Sequence, residues 1–208
     1  TLEMRWRKAI GLYQARLADR TNDANVLEEL QALAILASDQ DLLEQLLAIT
    51  WQEAQQRRDV AVQHANVAYR SRNFARAADQ ASALLQRWPD DFDLQYQVHR
   101  TLLWDGRVTD AAELLARMRR GSAADMDELI LIVSARQACA EGRRAEVEQA
   151  LTRLKEDNVS TRWHLLMLLG ETDAATKLLL PFERDGRIYA LASFLAFPNF
   201  DPSPFPSL

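Results

Sequence analysis

Apolar residues recur along the chain at intervals of three and four positions, with polar residues between them. Three such stripes lie in the first quarter of the chain: Trp6, Ile10, Tyr13 and Leu17; Leu27, Leu30, Ala34 and Ala37; and Leu43, Leu47, Thr50 and Trp51. On a helix of 3.6 residues per turn, the members of each stripe lie on one face. No run alternates Val, Ile or Thr between Asn-Gly or Asp-Gly turns, so β-hairpins are not favoured. The pattern predicts an all-α protein.

Polar clusters and glycines interrupt the stripes at short intervals. The clearest interruptions are Pro89–Asp91, Asp105–Arg107, Gly121–Ser122, Glu141–Arg143 and Leu169–Glu171. A glycine just beyond a helix end supplies a left-handed residue, and Asp, Asn or Ser begins the next helix. Helices of about 12 to 18 residues joined by such short turns form antiparallel hairpins.

The interruptions recur at a spacing that indicates internal repeats. The segment Asn73–Ala78 aligns with Arg107–Ala112, which places Ala77 and Ala111 34 residues apart. Here the chain resembles the tetratricopeptide repeat (TPR), a helix-turn-helix unit of 34 residues with small residues where its helices cross and a proline after the second helix. The clearest unit carries Ala65, Ala68, Phe74, Ala77, Ala81 and Pro89 at the positions of that motif.

The resemblance covers roughly residues 24–180 and implies a right-handed α-solenoid of about twelve helices. We expect a single domain with these parts: an N-terminal helix at 1–23, a degenerate repeat at 24–57, clear repeats at 58–91 and 92–121, looser repeats at 125–156 and 157–180, and a capping helix with a Pro/Phe-rich tail at 185–208. Pro181 is expected to cut short the second helix of the last repeat. An irregular helical bundle with chance matches is the alternative.

In TPR proteins that bind peptides, the inner faces of the first helices line a concave groove. The register of the resemblance implies these groove residues: Asn66, Arg70, Tyr96, Arg100, Trp104, Arg136 and His164. In some TPR clamps an Asn at the position of Asn66 holds a peptide main chain or carboxylate, whereas Val62 stands where those clamps carry a lysine. Several arginines along one groove favour an acidic or carboxyl-ended segment. The alternative is that the arginines are solvated or paired with acidic neighbours, and that the aromatic residues pack within the fold.

The composition narrows the classes of partner. Among 208 residues, 25 are Lys or Arg and 30 are Asp or Glu, so the net charge is -5. This balance argues against a nucleic-acid-binding surface, which needs excess positive charge. No apolar run approaches the roughly 18 residues of a membrane span. We expect a protein or peptide partner, no nucleic acid and no direct membrane insertion.

Residues suited to catalysis or metal binding are few. His64, His99 and His164 never occur as His-x3-His, and Cys139 lies in an apolar stretch typical of a buried, inert thiol. The paired aspartates at 90–91 and at 125 and 127 precede helices, where capping explains them. We predict no enzyme activity, no metal and no cofactor, with an all-α enzyme as a remote alternative.

The end of the chain concentrates prolines and phenylalanines: four of six prolines and four of seven phenylalanines lie between residues 194 and 208. Repeat arrays need closed ends, so Phe200 and Phe205 are expected to pack as a cap. The alternative is an arm that docks on another chain, which would make the protein a self-associating domain, a homodimer in the simplest case.

This tail also resembles the C-terminal part of bacterial multidomain proteins in which TPR arrays follow TolB-like, adenylate-cyclase-like or winged-helix segments. The resemblance implies the regulatory module of a larger bacterial protein, in the cytoplasm or the periplasm. It further implies that a segment before Thr1 carries the effector or an anchor. We therefore expect a non-catalytic scaffolding module that binds a partner segment in its groove.

Overall fold

A computed structural model describes residues 39–71, 73–121, 127–156 and 158–184, together with residues 8, 11, 12, 15, 30 and 34. These ranges contain α-helices and no strand, so the predicted all-α class is confirmed for them. The nine helices are α1 (Gln40–Ala54), α2 (Arg58–Arg70), α3 (Phe74–Arg87), α4 (Phe92–Trp104), α5 (Val108–Gly121), α6 (Asp127–Ala140), α7 (Arg144–Arg153), α8 (Val159–Leu168) and α9 (Thr172–Arg184). None of these nine has the length and apolar character that crossing a membrane requires.

The predicted terminal elements lie mostly outside the described residues. The N-terminal helix at 1–23 is represented only by four separate helical residues, and the cap and tail at 185–208, with Phe200 and Phe205, are not described. The count of about twelve helices therefore stays a prediction.

One helix boundary differs from the prediction. We expected Pro181 to end the last helix, but α9 continues to Arg184. The fixed φ of proline suits a helix, but proline has no N–H to donate and its ring crowds the carbonyl four residues back. Because Pro181 lies in the final turn of α9, losing that one bond does not end the helix.

The chain divides into two compact units, Thr1–Thr101 and Leu102–Leu208. In the first unit, α2 packs on both α1 and α3. In the second unit, α6 packs on α5, α7 and α8, and α8 packs on α7 and α9. Consecutive helices in contact, joined by short turns, are hairpins.

Each unit has an apolar core formed where these helices meet. One cluster in the first unit comprises Leu30, Ala34, Leu42, Leu43, Leu46, Leu47, Val67, Ala68 and Ala77. The main cluster in the second unit comprises Ala135, Ala138, Cys139, Val147, Ala150, Leu165 and Leu169.

One equivalent position is buried in four of the described helices. The fourth residues of α3, α5, α7 and α9 are Ala77, Ala111, Val147 and Ala175, so valine stands in α7 where the repeat pattern predicts alanine. Short side chains permit helix backbones to approach closely, and the predicted crossing at Ala77 stays a prediction.

Three turns of the second unit share one hydrogen-bonding pattern. Gly106, Gly142 and Gly170 have φ of 78°, 71° and 75°, and the residue after each donates its backbone N–H to the carbonyl five residues back. This is the Schellman arrangement, which requires a left-handed residue at the turn and therefore favours glycine. The predicted placement of these glycines at one equivalent turn is confirmed.

Turns without glycine use polar caps at the start of the following helix. Asp39, Asn73, Asp91 and Asn158 each accept a hydrogen bond from the backbone N–H three residues later. A side-chain oxygen in this position satisfies one of the free N–H groups of the first turn. The capping role predicted for the aspartates after Pro89 is confirmed at Asp91.

We expect Gly142→Ala to lower the free energy of unfolding by about 1 kcal/mol, because alanine is strained at positive φ. No neighbouring atom would clash with the added methyl group, so the strain of the backbone is the whole effect. Gly121→Ala is the matched control, since Gly121 lies at the end of α5 in equally open space without a positive φ. Urea unfolding followed by circular dichroism measures both. Equal stabilities for the two variants would contradict this account of the turn.

Candidate functional site

The predicted groove residues divide between the two units. Asn66 on α2 and Tyr96 on α4 are half-buried in the first unit, and Arg100 on α4 is only 5% exposed. Trp104, Arg136 and His164 belong to the second unit, and they are 9%, 4% and 8% exposed. The side chain of Arg70 lies outside the described residues. The arginines are therefore packed into the fold, not solvated as a surface row.

Arg100 is held in place by neutral groups from α2 and α4. Its Nη2 donates to Oδ1 of Asn66 at 3.2 Å and to Oε1 of Gln97, and its guanidinium carbon lies 3.7 Å from the centroid of the Tyr69 ring. A flat guanidinium stacked on an aromatic ring gains cation–π attraction that is stronger when water is excluded. Arg100 thus fixes the positions of both amide side chains.

The helices α2 and α4 that hold this arginine also carry half-buried side chains. Val62, Gln63, Asn66, Tyr96 and Gln97 are all partly accessible, and we call them the amide face. Residues three or four apart on a helix lie side by side, and Asn66 and Gln97 meet across the helices at Arg100. The described part of the chain offers no hydrogen bond to the buried Oε1 of Gln63.

Sequence reasoning identified Asn66 and Tyr96 but missed Gln63, Gln97 and the stacking partner Tyr69. The sequence spacing could have indicated the two glutamines, because Gln63 precedes Asn66 by three positions and Gln97 precedes Arg100 by three. Polar residues with that spacing share a helix face.

The second unit holds a buried pair on α6 and α8. Nε of Arg136 donates to Nε2 of His164 at 3.0 Å. An imidazole nitrogen that accepts a hydrogen bond carries no proton, so the neutral ring has its proton on Nδ1. Nearer the starts of these helices, three residues before His164 on α8 and eight before Arg136 on α6, Oγ1 of Thr161 donates to Glu128. These contacts align α6 with α8.

Cys139 is buried in the core of the second unit, as predicted. Its Sγ lies 3.7 Å from the carbonyl oxygen of Leu168, and burial raises the pKa of the thiol to about 11. A thiol that stays protonated at neutral pH is a poor nucleophile. Within the described ranges, no three His, Cys, Asp or Glu side chains lie together as a metal site would need.

No protein family, curated protein sequence or solved structure matches this chain. The geometry of the two units therefore has to carry the functional argument.

His64 links three helices of the first unit. Its Nδ1 lies 2.8 Å from Oγ1 of Thr50 on α1, its Nε2 lies 3.3 Å from Oε1 of Gln80 on α3, and its ring lies 5.2 Å from that of Trp51. Burial lowers the pKa of His64 to about 4. A buried imidazole resists protonation because the charged form loses its hydration.

This lowered pKa makes the stability of the fold depend on pH. The unfolded chain binds a proton at His64 below about pH 6.5, whereas the folded chain does so only near pH 4. The contribution is complete above pH 6.5 and is lost as the pH falls toward 4, to the extent of about 3 kcal/mol.

We expect His64→Gln, which keeps a hydrogen-bonding side chain but does not titrate, to flatten the pH dependence of the free energy of unfolding between pH 4 and 6.5. Urea unfolding at several pH values gives the slope for each protein. Gln86→His, which adds a histidine at an exposed position of α3, is the control and should leave the slope unchanged. If the free energy of unfolding of His64→Gln changes with pH as steeply as that of the wild type, another group causes the pH dependence.

Proposed function

We propose that this chain is a TPR-like helical repeat that binds a peptide segment of a partner protein and performs no catalysis. The observation that carries the proposal is the amide face of the first unit, held by Arg100. The repeat architecture and the binding surface are supported by separate contacts.

Contacts between successive first helices support the repeat. Asn66 and Arg100 are 34 residues apart and share a hydrogen bond. Arg58 forms ion pairs with Asp91 and Asp93, 33 and 35 residues later, and the bond between Glu128 and Thr161 spans 33 residues. Contacts at this separation are expected where units of about 34 residues stack in register. A right-handed solenoid is the architecture that such stacking would produce.

The chemistry of the amide face supports peptide binding. Amide side chains both donate and accept hydrogen bonds, as a peptide main chain does, so Gln63, Asn66 and Gln97 suit an extended segment. Tyr96 adds a flat, partly apolar surface at low entropic cost. Because Arg100 holds Asn66 and Gln97 before any ligand binds, less side-chain freedom is lost on binding.

The ligand preference, the regulatory role and the self-association are predicted from the sequence alone. The preference for acidic or carboxyl-ended segments was predicted from a row of arginines, of which Arg100 and Arg136 are buried, so the amide face does not support it. The role as a regulatory module of a larger bacterial protein rests on the resemblance of the tail. Self-association through Phe200 and Phe205 concerns residues outside the described ranges.

The test begins with panning a phage-displayed library of random peptides on the purified chain. The affinity of an enriched peptide is then measured by fluorescence anisotropy. We expect Tyr96→Ala and Gln63→Ala each to weaken binding by about tenfold, because each removes a contact surface from the amide face.

Gln55→Ala and Gln86→Ala are the controls, since both remove exposed amides of the same unit away from this face. They should bind the peptide as the wild type does. Failure to enrich any peptide, or wild-type affinity in Tyr96→Ala and Gln63→Ala, would refute the proposal.

A further inference from the structure

The second unit contains an open cleft of about 790 Å³ bordered by α5, α6 and α7. Its lining includes Arg119 of α5, Gln149 and Arg153 of α7, and Asn158 of the segment that follows α7. The volume is in the range of about 300 to 1,000 Å³ that is usual for small-molecule sites.

The cleft has an apolar floor. Ile130, Leu131 and Ala135 of α6 line it together with Ala150 and Leu154. After Asp127 and Glu128, α6 continues with five apolar residues from Leu129 to Val133, which face every side of the helix. A helix segment of that kind is normally covered all round. Here Leu129 is 37% exposed and Ile130 and Leu131 are half-buried. An apolar ligand would remove this surface from water.

The charged side chains that line the cleft differ in whether they already have a partner. Of the two lining carboxylates, Glu146 forms an ion pair with Arg143 outside the cleft. Glu128 accepts hydrogen bonds from Thr161 and Asn158, which lower its pKa, so this carboxylate keeps its negative charge while its oxygens are engaged. Within the described part of the chain, no hydrogen bond or ion pair engages the side chains of Arg153 and Lys155.

The two cations lie next to the apolar run. A short turn joins α6 to α7, so the end of α7 lies beside the beginning of α6. Leu131 and Leu154 both pack against the main apolar cluster of the second unit. The positive charges therefore stand at the end of the cleft where α6 exposes its apolar side chains. That combination is complementary to a molecule with an anionic head and a hydrocarbon body.

We propose that this cleft binds a small amphipathic carboxylic acid, with its hydrocarbon chain over Ile130 and Leu131 and its carboxylate at Arg153 and Lys155. An extended peptide is less suited, because its main chain needs amide partners along the track. Ser134 is already engaged with Ile130 and Arg119, and Asn158 caps α8. The proposal concerns a surface and a ligand class separate from the amide face.

Dodecanoate, kept below its micelle-forming concentration, is the probe. We expect its titration to shift the methyl resonances of Ile130 and Leu131 in ¹³C NMR spectra of the whole chain. Acetate shares only the carboxylate and dodecyltrimethylammonium shares only the hydrocarbon chain, so neither should reproduce these shifts at equal concentration.

Two kinds of variant test separately how the cations and the space in the cleft contribute to binding. We expect Arg153→Glu with Lys155→Glu to raise the dissociation constant by about tenfold or more, and Arg117→Glu with Arg120→Glu to change it by less than about twofold. The control pair reverses the same charge at exposed positions of α5 that do not line the cleft. Gln149→Trp, an exposed lining position, should weaken binding by filling the cleft.

Three results would overturn the proposal: shifts confined to residues away from Ile130 and Leu131, equal binding of dodecyltrimethylammonium, or equal effects of the two charge-reversal pairs. The outcome is independent of peptide binding, because none of these substitutions touches the amide face. The peptide selected there should bind all of these variants with wild-type affinity.

Discussion

The packing of both units depends on short side chains at one helix position: Ala77, Ala111, Val147 and Ala175, the fourth residues of α3, α5, α7 and α9, are all buried. Short buried side chains permit helix backbones to approach closely, and longer side chains, many of them leucines, complete the apolar clusters. A single hairpin cannot bury all of its apolar surface. In the first unit α2 packs on both α1 and α3, and in the second unit α6 packs on α5, α7 and α8. The left-handed turn glycines permit this because they reverse the chain within two or three residues.

Polar contacts then determine how neighbouring hairpins are aligned. Arg100 meets Asn66 between successive first helices, and Arg136 meets His164 in the same way. Apolar packing tolerates small shifts along a helix, whereas a buried hydrogen bond is lost by a shift of one residue, and the loss leaves a desolvated polar group. These pairs therefore specify register more than they add stability.

The sequence predicted the helices and their turns well, because those depend on local chemistry. Glycine after a helix, and Asp or Asn before one, act within a few residues, and Pro181 misled because its effect depends on how much helix follows it. How deeply a polar side chain on a helix face is buried could not be predicted from the sequence. A period of 3.6 residues assigns Arg100 to a face, but only the neighbouring helix decides whether that face is accessible. The cleft beside α6 was missed for the same reason.

This difference in depth changes where an anionic ligand would act. An arginine attracts a ligand when its guanidinium faces solvent or touches the ligand directly. Arg100 and Arg136 are buried, and their hydrogen bonds orient neighbouring side chains instead. Substituting either arginine would therefore disturb the alignment of neighbouring helices more than any direct contact with a ligand. Arg153 and Lys155 are exposed beside apolar surface, so their charges remain available to a ligand. Arg100 therefore shapes the amide face of the first unit. In the ligand site proposed for the second unit, the attraction for a carboxylate comes from Arg153 and Lys155.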